Sequence, residues 1–240
     1  MDLRSVGLAS LYGALVLLTP KTSYAQLAHP GYSGLISTPN AEVIPHGQLA
    51  FNFSWIDGVR TYLFSPQTNR LYAVTAGILP GLEVTLRQTQ VVGWHDPEAT
   101  GVPYAFDRMF SAKYKIPLPG NFPRLAFGIQ DIASANFLSG VTGIKPGATQ
   151  YGQSTYYGVL GVNHNYWDSH IGVGISQAFI NGFFGGITYH LFEQLSVLGE
   201  WDSKQANWGV RYFPINNWWV QFSGIGNDTW GLSSGVSLTL

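Results

Sequence analysis

Histidines and carboxylates surround two short connections of this 240-residue sequence, and these residue types could do chemistry. His164, Asp168 and His170 surround one connection, and His190 and Glu193 surround the other. Acyl hydrolysis would also need a serine nucleophile on a sharp turn, and no such turn accompanies them. Two histidines without a third placed ligand do not make a metal site. We therefore interpret these as turn residues and predict no catalytic residue, no metal and no cofactor.

The elements that would position these residues are short alternating segments separated by turn residues. A period of two is the signature of half-exposed strands. From Trp230 to Leu240 the even positions are apolar except Ser234, and the odd positions are Gly, Ser or Thr. The segments lie near 49–55, 72–78, 82–86, 110–116, 125–129, 154–162, 170–178, 183–190, 195–202, 206–213, 218–225 and 229–240. About twelve strands is an even number, as a single-chain barrel requires.

The composition indicates that these strands lie in a membrane. Only 10% of residues are charged, against roughly 25% in a globular domain, while 15% are aromatic and the mean hydropathy is +0.07. In a membrane barrel, apolar lipid-facing residues alternate with polar lumen-facing ones, so their hydropathies cancel in such an average. Because unpaired backbone groups in hydrocarbon cost several kcal/mol, the sheet must close. We predict an all-β fold, a closed antiparallel transmembrane β-barrel; a soluble sandwich or lipocalin-like barrel would need more surface charge.

Seven charged residues fall on the lumen-facing phase of the predicted strands. An isolated buried charge costs several kcal/mol, so these groups should pair across the interior. A lumenal salt-bridge network and a polar lining for sugar or ion passage both fit the pattern, and the sequence leaves both open. The lumen-lining candidates are Glu83, Arg87, Lys113, Lys115, Glu200, Asp202 and Arg211.

Three other charges break the alternation or begin a strand. Arg108 and Asp131 fall on the lipid-facing phase, where an arginine at the bilayer midplane costs about 2–4 kcal/mol, so they should lie near a strand end. Asp107 and Arg108 open one predicted strand and Asp131 closes its spatial neighbour. We predict a rim ion-pair cluster of Asp107, Arg108 and Asp131, with either a structural or a functional role.

The connections predict an orientation, because outer-membrane barrels have short periplasmic turns and longer extracellular loops. Residues 79–81 and 117–123 would be periplasmic, and 57–69, 92–106 and 132–153 extracellular. Trp218 and Trp219 would then lie at the periplasmic headgroup level, which favours amphipathic rings.

The N-terminal part of the chain predicts export to the outer membrane of a Gram-negative bacterium. Residues 1–25 have the order of a cleaved signal peptide: Arg4, an apolar run and a small-x-small site ending at Ala25. Residues 26–46 would form an arm, either a plug or a periplasmic segment, and 47–240 the barrel. We favour the lumen for the arm because Leu35, Ile36, Val43 and Ile44 need burial.

Several segments resemble the YjbH-like outer-membrane proteins. Residues 34–41, Gly-Leu-Ile-Ser-Thr-Pro-Asn-Ala, followed by 45–49, resemble the opening of that family. Residues 107–115 with 123–125 and 128–132 are similar to its central strand pair, and 200–202 with 207–212 to its later hairpin. The resemblance covers most of residues 31–240.

This resemblance implies a non-enzymatic outer-membrane barrel linked to exopolysaccharide production or export. The implied partners are outer-membrane lipid, the barrel-assembly machinery and periplasmic polysaccharide-export proteins. Nucleic acid is excluded because the net charge of -1 offers no basic cluster. The absence of cysteine excludes disulfides and thiol catalysis. Two alternatives are a general small-solute or ion channel and a lipid-modifying outer-membrane enzyme.

Overall fold

The computed structural model describes residues 26–59, 67–92, 104–119, 123–132, 154–176 and 180–240. The predicted signal peptide and most of the three long predicted connections lie outside these residues. No helix within the described ranges is long and apolar enough to cross a membrane.

The described chain forms twelve strands that alternate in direction around one sheet. The bounds are β1 (Gln48–Val59), β2 (Gln67–Leu79), β3 (Leu82–Val92), β4 (Tyr104–Ile116), β5 (Arg124–Gln130), β6 (Thr155–Asn163), β7 (Trp167–Ile175), β8 (Gly182–Phe192), β9 (Leu195–Trp201), β10 (Ala206–Ile215), β11 (Trp218–Ile225) and β12 (Thr229–Thr239). Each strand pairs with its neighbours in sequence, and β1 pairs with β12 in an unbroken register from Gln48–Thr239 to Asp57–Trp230. The predicted closed antiparallel barrel is confirmed.

Large apolar side chains cover the outer face of this sheet. Phe183 is 74% exposed and Ile175 71%, and along β6 the exposed Tyr156 is followed by the buried Tyr157. Apolar surface left in water would cost roughly 25 cal/mol per Å². A closed sheet that is apolar outside and polar inside is the arrangement of a transmembrane barrel. The chain therefore has the architecture of a transmembrane β-barrel.

The two ends of the barrel differ in their connections. Short turns join β2 to β3, β8 to β9 and β10 to β11 at the end where β1 begins and β12 finishes. Short turns are typical of the periplasmic side, so we refer to this end as the periplasmic end and to the opposite one as the outer end. The wall is also uneven: β2 and β4 have 13 residues each, whereas β5 and β9 have 7.

Ser234, the exception in the alternation of β12, lies beside the two neighbouring tryptophans Trp218 and Trp219. Ser234 faces outward, where its hydroxyl accepts a hydrogen bond from Trp218 Nε1 at 2.8 Å and donates to the Trp219 carbonyl at 3.1 Å. The exposed Trp218 agrees with an interfacial position. Trp219 is only 3% exposed and packs inside the barrel, so its predicted headgroup position is wrong, because adjacent strand residues face opposite sides.

Candidate functional site in the barrel lumen

Residues 26–47 form an arm that lies inside the barrel. Two tight reversals shape it, held by bridges between Leu27 and Ser33 and between Gly34 and Pro39. Its apolar side chains pack on the inner wall, where Leu27 and Ile44 contact Trp219 in one buried cluster. A second cluster joins Leu35 and Ile36 to Leu198, and a third joins Ala41 to Tyr157 and Phe184. Burial of apolar side chains thus places the arm in the lumen.

The carboxylate of Glu200 binds the turn of the arm at Ser37. It accepts hydrogen bonds from the backbone N–H groups of Ile36 at 2.9 Å, Ser37 at 2.9 Å and Thr38 at 3.0 Å. The hydroxyl of Thr38 donates at 2.8 Å and the amide of Asn207 at 2.9 Å. Successive backbone N–H groups that converge on one anion form a nest. Glu200 is therefore the acceptor that fixes this turn.

A second carboxylate, Glu83, binds the arm near its two ends. It accepts hydrogen bonds from the backbone N–H groups of Ser33 and Ile44, each at 2.9 Å, and from the Ser33 hydroxyl. Lys113 lies 3.6 Å from Glu83 and donates to the carbonyl of Ser33 at 2.7 Å. Both side chains are 1% exposed. Because a buried charge is tolerated only with such partners, this ion pair needs the arm in place.

The guanidinium of Arg211 binds the carbonyl groups of the arm. It is fully buried, and its Nη2 donates to the Leu35 carbonyl at 2.7 Å and to that of Leu27 at 3.3 Å. The Nε donates to Gln221 at 2.8 Å, and Nη1 donates to the side chain of Gln26. An arginine suits this position better than any other side chain, because its guanidinium group presents five N–H donors in one planar fork.

A partly exposed cluster of charges contacts the arm close to the periplasmic end. Glu42 of the arm pairs with Lys115 of β4 at 3.0 Å and with Arg124 of β5. Its side chain is 19% exposed. A partly exposed pair of this kind contributes roughly 0–1 kcal/mol. This cluster therefore guides the arm rather than anchoring it.

The lumen-lining candidates thus bind the arm more than they bind each other. Glu83 and Lys113 form an ion pair between wall side chains, while Glu200, Arg211 and Lys115 contact arm residues. Arg87 is also buried. Asp202 differs, because it lies in the β9–β10 turn and accepts from the Lys204 and Gln205 backbone at 3.0 Å each. Its other oxygen accepts from the side chain of Asn207 at 3.0 Å, so this turn residue is joined to the site of Glu200 without contacting the arm.

The predicted rim cluster is divided by the wall. Arg108 is exposed on the outer face of β4, and the next residue, Met109, is buried. Asp131 is 2% exposed because a left-handed backbone, with φ of 55°, turns its side chain inward at the end of β5. The wall therefore separates Arg108 from Asp131, and the predicted ion pair between them is not formed. The side chain of Asp107 lies outside the described residues.

The structure also brings a serine to one of the histidines. His190 Nδ1 lies 2.8 Å from Ser196 Oγ, and His190 Nε2 lies 2.9 Å from Asp168 Oδ2. Sequence reasoning missed Ser196, which the β8–β9 register places opposite His190. Ser196 is fully buried, so its hydroxyl is not accessible to a substrate in this structure. His170 binds Thr38 at 3.2 Å, and His164 stacks on Trp167.

A neutral histidine, His29, lies at the contact between the arm and the wall. Burial, and then the positive charge of Arg211, lower the pKa of His29 to about 3. Its ring is therefore neutral at physiological pH, and Nε2 lies 2.5 Å from Ser223 Oγ. Within the described ranges, no cluster of three or more His, Cys, Asp or Glu could hold a metal ion.

The docked arm fills the space at its level. Between the arm and strands β6 to β8 a cavity of about 30 Å³ remains, lined by Asn40, Ala41 and His170 among others. This volume accommodates only a few water molecules. A hydrated sugar needs a far wider passage than this cavity between the arm and the wall.

A methyl group at Gly77 is expected to dislodge the last part of the arm. A Cβ there would lie 2.1 Å from the Pro45 carbonyl oxygen and 2.6 Å from that of Ile44. We predict that Gly77→Ala weakens docking by about 1–3 kcal/mol, the usual cost of overpacking. Limited proteolysis of the detergent-solubilised protein should then cleave the arm at least about fivefold faster.

Gly199→Ala is the control for this steric effect. It adds the same methyl group to another strand, where the nearest atom, Ile187 Cγ2, lies at 3.9 Å. Equal cleavage of the wild-type arm and the Gly77→Ala arm would show that the arm is not seated against β2.

Comparison with known proteins finds one family model that matches the arm and part of the wall. The model of a family described as "Exopolysaccharide biosynthesis protein YbjH" matches residues 26–141. This matched region contains the arm, strands β1 to β5, and the Glu83–Lys113 pair. The predicted resemblance is confirmed for this region. No curated protein sequence matches the chain.

Solved structures similar to this chain are outer-membrane proteins of low sequence identity. An outer membrane channel from Pseudomonas putida F1 is 10% identical, with 85% of this chain and 100% of that chain covered and a TM-score of 0.48. The KdgM porin, solved with disordered oligogalacturonate, is 10% identical over 80% and 99% of the chains, with a TM-score of 0.46. Outer membrane phospholipase A from Escherichia coli is 10% identical over 81% and 97%, with a TM-score of 0.45. Likenesses at this level support no statement about ligand or activity.

Proposed function

We propose that this protein is a non-enzymatic outer-membrane barrel that serves exopolysaccharide production or export, with its own N-terminal arm as a plug. The match of residues 26–141 to the exopolysaccharide family carries the proposal. That region supplies the plug and half of its seat, so the plug is a feature of the part that the family model covers.

Polysaccharide passage through the barrel would require release of the arm. The small cavity beside the docked arm admits neither a sugar chain nor a hydrated solute. Release would break the bonds to Glu200, Glu83 and Arg211, which a periplasmic export partner that grips the arm could drive. A permanently open, general channel fits this lumen less well.

Deletion of the gene in the source bacterium tests the link to polysaccharide. We expect surface polysaccharide, measured as extractable hexose per cell, to fall at least threefold and to return on complementation with the wild-type chain. Unchanged polysaccharide in the deletion strain would overturn the proposal.

A reversible lock on the arm tests whether the arm must move. A Cβ added at Gly161 would lie 2.9 Å from Ala41 Cβ, so the Ala41→Cys/Gly161→Cys pair needs a shift of about 0.6 Å to reach disulfide geometry. The natural chain has no cysteine, so no other disulfide competes. We expect the locked protein to complement only after reduction, while each single variant complements throughout. Full complementation by the locked protein would rule out passage through the lumen.

Ser196, His190 and Asp168 are the observation that favours the enzyme alternative. Against it, Ser196 is fully buried and faces the lumen, away from the lipid that such an enzyme would cleave. Incubation of the purified chain with labelled phospholipid decides between the two. Acyl release that is lost in Ser196→Ala would replace our proposal by a lipid hydrolase.

A further inference from the structure

Two arginines face outward on the tall side of the barrel, where an apolar surface would be expected. Arg70 of β2 lies opposite Gln90 of β3, and Arg108 of β4 lies opposite Gln88. Their strand neighbours Leu71 and Met109 are buried. Alternation therefore directs both guanidinium groups, with the two glutamines between them, away from the lumen.

Both residues lie in the outer half of their strands. Arg70 is three residues from the first residue of β2, and Arg108 is four residues from the first residue of β4. At about 3.3 Å per residue and a tilt of about 40°, their Cα atoms lie roughly 8 and 10 Å below the strand ends. The cost of an arginine falls with distance from the bilayer midplane. A long arginine side chain on this side of the midplane can reach towards the outer headgroups.

An apolar concavity adjoins this polar patch on the same outer face. Its volume is about 820 Å³, and its wall includes Phe51, Phe53, Tyr72 and Leu86, with Gln88 and Arg108 among its polar members. A concavity of this volume can take up acyl chains, and the guanidinium group beside it can bind an anionic headgroup.

The surroundings of the arginines leave them available to an anion. Arg70 lies over the ring of Trp55 at 5.9 Å, which orients its guanidinium group without neutralising it. Among the described residues, the carboxylate nearby is Asp57. It accepts a hydrogen bond at 2.6 Å from the hydroxyl of Thr68, which lies two residues closer to the rim than Arg70. Arg70 and Arg108 lie two strand spacings apart, and their partners on β3 are offset by two residues. This geometry separates their Cα atoms by about 12 Å. Two separated phosphates fit this arrangement better than one.

We propose that this outer-wall patch binds an acylated disaccharide with a phosphate at each end, the chemistry of lipid A in the outer leaflet. The acyl chains lie along the concavity of Phe51, Phe53 and Leu86. The phosphates bind Arg70 and Arg108 through bidentate hydrogen bonds, and the amides of Gln88 and Gln90 bind the sugar hydroxyls.

Binding of purified bisphosphorylated lipid A to the full chain in detergent tests this proposal. Native mass spectrometry should show a one-to-one complex that Arg70→Gln/Arg108→Gln weakens at least tenfold. The single variants Arg70→Lys and Arg108→Lys keep the charge but lose the bidentate geometry, so each should weaken it twofold to fivefold. Monophosphorylated lipid A should bind at least threefold more weakly than the bisphosphorylated form.

Lys204→Gln is the matched control, because Lys204 is an exposed cation in the β9–β10 turn at the outer end, away from the patch. It should bind lipid A as the wild type does. Equal binding by the double glutamine variant and the wild type would overturn the proposal, and so would an equal loss in Lys204→Gln. Phosphatidylglycerol binding as tight as that of lipid A would overturn the choice of occupant.

Discussion

Glu200→Gln should release the arm from the lumen while leaving the barrel folded. The glutamine side chain has the same size but only one acceptor oxygen. Where the amide nitrogen replaces Oε2, it meets the N–H groups of Ile36 and Thr38. Where it replaces Oε1, it meets those of Ser37 and Asn207. In both orientations at least two donors lose a charged acceptor.

The expected effect is large because hydrogen bonds to a charged group contribute about 1.5–3 kcal/mol each. Loss of two of them weakens docking by about 3–6 kcal/mol, which corresponds to roughly a 10²–10⁴-fold rise in the released population. The strands keep their own hydrogen bonds, since Glu200 uses only its side chain here.

A cysteine reporter in the arm measures this release. Ala41 is 2% exposed and lines the small cavity, so Ala41→Cys has room for its sulfur atom and provides the chain with a unique thiol. We expect a bulky maleimide to react with it at least a hundredfold faster in the Glu200→Gln background. Heat-modifiable migration on gels verifies that the barrel is folded.

Asp202→Asn is the control, because Asp202 is a carboxylate of the adjacent turn that accepts from the backbone of Lys204 and Gln205 and from the Asn207 side chain but makes no bond to the arm. It should change the labelling rate less than twofold. A Glu200→Gln protein that reacts at the wild-type rate would show that the nest does not hold the arm.

Arg211→Met should weaken docking of the arm about as much as Glu200→Gln does. It removes hydrogen-bond donors to the arm, whereas Glu200→Gln removes a charged acceptor. Methionine fills most of the volume but donates nothing, so the carbonyls of Leu27 and Leu35 and the side chain of Gln221 lose their donor. Removal of one partner from a buried charged network typically costs about 3–5 kcal/mol. Amide hydrogen exchange of the arm, followed by mass spectrometry, should accelerate by about 10²–10³-fold.

Arg124→Met is the same substitution at a half-exposed arm contact, and its ion pair with Glu42 contributes roughly 0–1 kcal/mol. The rate of amide hydrogen exchange in the arm should therefore rise less than about fivefold in this control. The Glu200→Gln/Arg211→Met double variant should exchange little faster than either single variant, because both release the segment from Leu35 to Thr38. Full additivity would indicate that the two side chains hold independent parts of the arm.

The inward position of the charged side chains was predictable from the sequence, but their partners were not. A strand alternates faces because of its local backbone geometry, so parity alone placed Glu83, Lys113, Glu200 and Arg211 inside. Their partners are backbone N–H and C=O groups of the arm, 164 residues away in the contact of Ile36 with Glu200. Sequence pattern does not distinguish one backbone amide from another, so a wall-to-wall network was expected where wall-to-arm bonds exist.

Ser196 and Asp131 show two further limits of pattern reasoning. Ser196 reaches His190 because of the register between β8 and β9, which turn geometry and packing select. Asp131 leaves its expected face because one residue adopts a left-handed backbone at the strand end. Neither register nor a single unusual φ angle is visible as periodicity.

The sequence by itself determined a closed barrel of about twelve strands with an apolar skin, because alternation, turn spacing and the need to pair every backbone group in hydrocarbon are local or general requirements. Only the tertiary structure decided that the chain's own arm lies in the lumen. That outcome depends on long-range complementarity between arm amides and wall charges, which no local pattern of the sequence encodes.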